Sequence, residues 1–98
     1  MKKTELMSLR SKLDKIDEKL LKVLNQRFNI TRQIGKLKAE KNLPEQDKNR
    51  ENEKLQQLAT LAKEFKIDQE FIQKLYRLIF KQVVSEHKQI KRHSLTQT

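Results

Sequence analysis

Cysteine and tryptophan are absent from this 98-residue chain, and glycine and proline occur once each. Without cysteine there is no disulfide, no thiolate metal site and no thiol nucleophile. One glycine and one proline supply too little turn material for a β architecture. Histidine occurs only at His87 and His93, too few for a convincing metal site, so no bound metal is expected. No apolar run reaches the roughly 18 residues that a membrane span needs. The opening Met1-Lys2-Lys3-Thr4-Glu5 lacks the hydrophobic core of a signal peptide. The expectation is a soluble cytoplasmic protein with no membrane partner.

What is present is charge and helix-forming material. Charged residues make up 37% and hydrophobic residues 35%, and 23 Lys and Arg against 13 Asp and Glu give a formal charge of +10. Such an excess attracts anions, be they nucleic acid, a membrane surface or a small polycarboxylate, but for charge alone a solvated lysine-rich surface is the plainer reading. The apolar share is low for a monomeric core of this size, yet it is strongly patterned. Patterning excludes disorder.

From Leu6 to Leu37 the apolar positions step by three and four: Leu6, Leu9, Leu13, Ile16, Leu20, Val23, then Arg27, then Ile30, Ile34 and Leu37. This heptad-like seam predicts one long helix over about residues 4–41, with Thr4 as its N-cap and Pro44 barring its continuation. At 1.5 Å per residue it is about 57 Å long, whereas a compact domain of this size has a radius of gyration of about 13 Å. The stripe continues throughout, so a partner chain is needed to cover it. A second helix is expected over 47–64, capped by Asp47 and turning Leu55, Leu58, Leu61 and Ala62 inward. A third is expected over 69–91 after the cap Asp68, with an inner stripe of Ile72, Leu75, Tyr76, Ile79, Val83, His87 and Ile90. Residues 92–98 lack periodicity and are expected to fray. The reading is a single all-α domain over 1–98, a three-helix protomer of an intertwined homodimer.

Candidate site residues appear where the pattern breaks. Arg27 occupies a seam position that its neighbours fill with apolar side chains, and a guanidinium there needs an anion to offset its desolvation. That anion is either a carboxylate of a neighbouring helix or a ligand in a cavity. Lys38, eleven residues on, lies only about 20° around the helix from Arg27 and about 16 Å along it. Asp47, Arg50 and Glu51 share one face of the second helix and extend its buried stripe, either as a capping salt-bridge cluster or as site residues. Val83 and His87 sit at i and i+4 on the third helix, where a histidine at the edge of a core is the plainer reading. Ser85 and Gln89 have the same spacing but point away from the core.

Taken together, Leu9-Arg10, Ile16-Asp17-Glu18-Lys19-Leu20-Leu21, Leu24, Arg27, Ile34-Gly35-Lys36, Lys38, Pro44, Asp47 and Arg50-Glu51 resemble the all-helical, AroQ-class chorismate mutases. The resemblance runs from about Leu6 to Ile90 without a gap. It implies intertwined dimers with two sites built from both chains, and rearrangement of chorismate to prephenate in phenylalanine and tyrosine biosynthesis, a branch of the shikimate pathway. It also implies a pericyclic reaction that uses no cofactor. The catalyst selects the conformer in which the reacting carbons meet and stabilises charge growing on the ether oxygen.

By resemblance, Arg27 grips one substrate carboxylate and Arg10 of the partner chain another. Lys38 binds near a carboxylate and donates to the ether oxygen. Glu51, with the backbone at Asp47, orients the substrate hydroxyl, and Arg50 lines the pocket. The third helix departs from the family pattern, with Val83 where a small polar residue is common and His87 where glutamine or glutamate is usual. Imidazole donates one hydrogen bond and imidazolium is a better donor, so reduced activity that improves on acidification is expected. Rival readings are an isochorismate-pyruvate lyase on the same scaffold, a mutase fold weakened by Val83 and His87, and a basic helical binding module. Against nucleic acid as partner, Arg27 lies on the seam rather than an exposed stripe, and there is no aromatic stacking platform.

Overall fold

The computed structural model describes residues 3–96, and these form three α-helices: α1 (Lys3–Glu40), α2 (Lys48–Glu64) and α3 (Gln69–Thr96). The chain divides into two compact units, Met1–Thr31 and Arg32–Thr98. In the first unit, the described residues are a single stretch of α1. Its leucines and isoleucines, from Leu6 to Ile30, are exposed except for the half-buried Leu24. Thr4 lies inside the helix rather than capping it, because α1 already includes Lys3.

In the second unit, the last turns of α1 are followed by α2 and α3, and α2 packs along α3. Helix α1 stops through backbone geometry. Asn42 adopts φ 54°, which turns the amide of Leu43 back to the Lys38 carbonyl at 2.8 Å and that of Asn42 to Ala39 at 3.2 Å. Asparagine tolerates this left-handed conformation better than most residues, and the two bonds satisfy carbonyls the helix would leave open. Lys66 repeats the device after α2 with φ 58° and an Ile67 amide bonded to the Ala62 carbonyl at 2.9 Å.

Both following helices start on an aspartate. Asp47 accepts from the Arg50 amide at 3.1 Å, and Asp68 accepts from the amides of Glu70 and Phe71 at 2.9 and 3.4 Å. Each carboxylate answers free amides of a first turn and meets the positive end of the helix dipole.

The buried stripe of α2 is Leu55, Leu58 and Ala62, whereas Leu61, expected inside, is 44% exposed. At 100° per residue Leu61 lies roughly 90° around from the centre of that stripe, and α3 covers only one side of α2. Helix α3 continues to Thr96, beyond the expected end at Lys91, so residues 92–96 are helical rather than frayed. Its late turns have something to pack near: Ile90, His93 and Ser94 share a groove with Lys36, Ala39 and Glu40 from the end of α1. Residues 97 and 98 of the expected tail lie outside the described residues.

Candidate functional site

Most of the candidate residues fall in the second unit, around the short connection between α1 and α2. Lys38 is half-buried near the end of α1, and its carbonyl receives the Leu43 amide, which draws the connection back along the helix. Glu45, within that connection, is tied to Lys91 of α3 at 3.7 Å. Its carboxyl titrates below the usual carboxylate range, chiefly because a backbone amide bonds to it and secondarily through the charges of Lys91 and Lys88.

At the start of α2 the cap fixes three candidates at once. Asp47 is exposed, with its side chain committed to the Arg50 amide and its carbonyl to the Glu51 amide at 3.0 Å. Arg50 is exposed on the first turn. Glu51 is half-buried, and its Oε1 accepts a hydrogen bond from Gln46 Nε2 at 3.2 Å. That partner was missed in the sequence, since a glutamine in a loop carries no periodic signal.

On α3, Val83 is half-buried, and His87, only 4% exposed, is the most deeply buried polar residue of the second unit among those described. Helix α1 accommodates it through Gly35, the single glycine of the chain. A Cβ built on Gly35 would lie 2.6 Å from His87 Cδ2, 3.0 Å from its Nε2 and 3.0 Å from Ile90 Cδ1. The imidazole therefore rests edge-on against bare helix backbone one turn before Lys38, with Nδ1 on the far side of the ring and shielded from solvent. A lone glycine inside a helix costs about 1 kcal/mol relative to alanine, so its place calls for a packing reason. His87 is that reason.

The neighbouring Glu86 locks the same two helices together. Arg32 on α1 donates from Nε and Nη2 to Glu86 Oε1 at 3.1 and 2.9 Å, while Oε2 is shielded from solvent. A charge-assisted pair with only partial exposure holds α3 in register on α1. Ser85 and Gln89 are exposed, in keeping with their expected outward direction.

A specific expectation follows from the Gly35 contact. Gly35→Ala should lower stability by about 1 kcal/mol, because overpacking against a rigid buried ring outweighs the gain in helix propensity. In a His87→Ala background the same change should stabilise instead. Urea denaturation of the four chains of this double-mutant cycle measures the sign; a Gly35→Ala effect of equal size in both backgrounds would show that the ring is not the obstacle.

Arg10 and Arg27 belong to the first unit. Arg10 is exposed. Arg27 is half-buried, and its Nη1 is shielded from solvent, an unusual setting for a guanidinium. Chemically the candidates comprise cations suited to carboxylates, hydrogen-bond donors, and one carboxylate suited to a hydroxyl. Among the described residues there is no group of three or more His, Cys, Asp or Glu side chains that could hold a metal ion. No described helix is long and apolar enough to cross a membrane.

The sequence profile of the family described as "Chorismate mutase type II" matches residues 9–88. The chain is 37% identical over 90 residues to a bifunctional chorismate mutase/prephenate dehydratase of Aquifex aeolicus, covering 89% of this chain and 25% of that protein. It is 37% identical over 79 residues to the protein of the same description from Escherichia coli K12, covering 81% of this chain and 20% of that one. It is 24% identical over 94 residues to a chorismate mutase of Methanocaldococcus jannaschii, covering 96% of this chain and 91% of that protein. The chain thus spans a quarter or less of the length of these two bifunctional relatives.

Proposed function

Because the chain belongs to the chorismate mutase type II family, we propose that it converts chorismate to prephenate as an intertwined homodimer. The observation that carries this reading is Arg27, a guanidinium set in an apolar seam, half-buried and with one nitrogen out of contact with solvent. Burial of such a group is unfavourable unless an anion meets it, and a planar guanidinium matches a carboxylate through two parallel hydrogen bonds.

The roles follow from the chemistry. Arg27 holds one carboxylate of the substrate and Arg10 of the partner chain the other, which folds the flexible side chain over the ring and brings the reacting carbons together. Lys38 donates to the ether oxygen as the C–O bond lengthens and negative charge collects there. His87 supplies the second donor from α3, held in place by Gly35. Glu51, with the backbone at Asp47, receives the ring hydroxyl, and Arg50 lines the same pocket beside Val83. The bond broken and the bond formed belong to one substrate molecule, so neither a nucleophile nor a proton acceptor is required.

Exposed apolar surface supports the dimer. Leu13, Ile16, Leu20 and Leu21 on α1 are each more than half exposed. A second copy, carrying the same stripe, covers them in a two-fold arrangement.

The test is to incubate the purified chain with chorismate and, separately, with isochorismate. Prephenate from the first and no pyruvate from the second is the expected result. Pyruvate from isochorismate without prephenate from chorismate would assign the scaffold to the lyase reaction instead.

A further inference from the structure

A second cavity lies on the α2–α3 side of the molecule, of about 580 Å³, within the range of small-molecule sites. Its apolar wall is made by Leu55, Phe80 and Val84. The Phe80 ring is packed edge-on by Tyr76, with centroids 6.0 Å apart and planes at 65°, so it forms a braced surface. Around this wall stand Lys48 from the first turn of α2 and Arg77, Lys81 and Lys88 from α3. The three α3 cations recur at i, i+4 and i+11, one face of a helix. None of Lys48, Arg77 and Lys81 forms a salt bridge with a described carboxylate, while Lys88 lies in the field of Glu45.

Glu51 is the acidic side chain that reaches this cavity, and its hydrogen-bond donor there is Gln46. Three unneutralised cations beside an apolar, concave wall describe a definite ligand. Phosphate would satisfy the charge and leave the wall wet. An uncharged ring would satisfy the wall and leave the cations repelling one another. A nucleic acid strand needs an extended track with several stacking surfaces, and here one ring lines a single open hollow.

We propose that this cavity binds a small cyclic dicarboxylate, with the ring against Phe80 and Val84 and the carboxylates on Lys48, Arg77 and Lys81, and that the ligand takes Gln46 away from Glu51. Gln46 and Glu51 line the same cavity as Lys48, so a carboxylate on Lys48 competes with Glu51 for the Gln46 amide, and the Gln46–Glu51 hydrogen bond opens when the ligand enters. The consequence for turnover, that occupancy of this cavity alters how Glu51 meets the substrate hydroxyl, rests on the mutase reading above. The binding itself does not.

The experiment titrates isophthalate (benzene-1,3-dicarboxylate) into the full-length Arg27→Ala chain, in which one arm of the proposed carboxylate clamp is removed, and follows backbone and side-chain amide resonances. Saturable shifts at Phe80, Lys81 and Val84, with a concurrent shift of the Gln46 side-chain amide, are expected. Adding Arg77→Gln and Lys81→Gln should weaken the binding at least about tenfold, since two charge-assisted contacts are lost; inorganic phosphate should bind at least about tenfold more weakly than isophthalate. Absent shifts at these residues, unchanged affinity in the double variant, or equal binding of phosphate would each overturn the proposal. Failure of chorismate turnover would overturn only the mutase reading, because none of these measurements depends on it.

Discussion

Replacing Arg27 with alanine is expected to lower kcat/KM for chorismate about a thousandfold, corresponding to about 4 kcal/mol of lost transition-state binding. The size follows from setting. A charged partner taken from a desolvated ion pair leaves the other charge stranded, which costs far more than losing a surface contact. Lysine at the same position keeps the charge but not the paired geometry, so Arg27→Lys should recover only part of the loss. Stability separates this reading from its rival. Were Arg27 a structural partner for a carboxylate of a neighbouring helix, alanine would destabilise the fold by about 3–5 kcal/mol. With the substrate as its main partner, the loss of stability should stay within about 1 kcal/mol, because alanine also favours the helix. Steady-state kinetics and urea denaturation of Arg27→Ala together decide between the two.

Exchanging His87 for glutamine should raise kcat at pH 8 about tenfold and flatten the pH dependence between pH 5 and 8, since one well-placed donor is worth a factor of that order or more. In the unmodified chain the rate should instead climb on acidification, because imidazolium is the stronger donor to an oxygen acquiring negative charge. The surroundings of the ring bear on this. His87 rests on Gly35 and Ile90; its sequence neighbours Glu86 and Lys88 and, next to Gly35, Lys36 are charged, and Glu86 is committed to Arg32 at 2.9 Å. A dicarboxylate in the site adds negative charge that favours the protonated imidazole. The measurement is the pH–rate profile of both chains with saturating chorismate. A flat profile in the unmodified chain with no gain from glutamine would remove His87 from the reaction.

The three helices were legible because each carried a clear local signal. The apolar steps from Leu6 to Leu37 gave α1 its length, and Asp47 and Asp68 gave α2 and α3 their starts by the need of first-turn amides for an acceptor. The end of α3 was hidden because Arg92, His93 and Ser94 carry no apolar period, although His93 and Ser94 share a groove with the closing turns of α1. Leu61 was misread because a leucine near a buried stripe looks the same whether one neighbour or two flank the helix. The candidate site was readable from polar residues breaking an apolar pattern, above all Arg27 and His87. Gly35 was visible as a cost in a helix, but not its meaning, since the ring it admits comes from fifty-two residues later. The Gln46–Glu51 and Arg32–Glu86 bonds depend on side-chain reach between elements, which periodicity does not encode.

Mixing two inactive chains tests most directly whether each site is built from both copies. An Arg10→Ala chain and an Arg27→Ala chain, unfolded together and refolded as random dimers, should regain about a quarter of the unmodified activity, since half the dimers are mixed and each mixed dimer holds one intact site of two. No recovery, in a sample where mixed dimers are demonstrated by differential mass labelling, would contradict a shared carboxylate clamp.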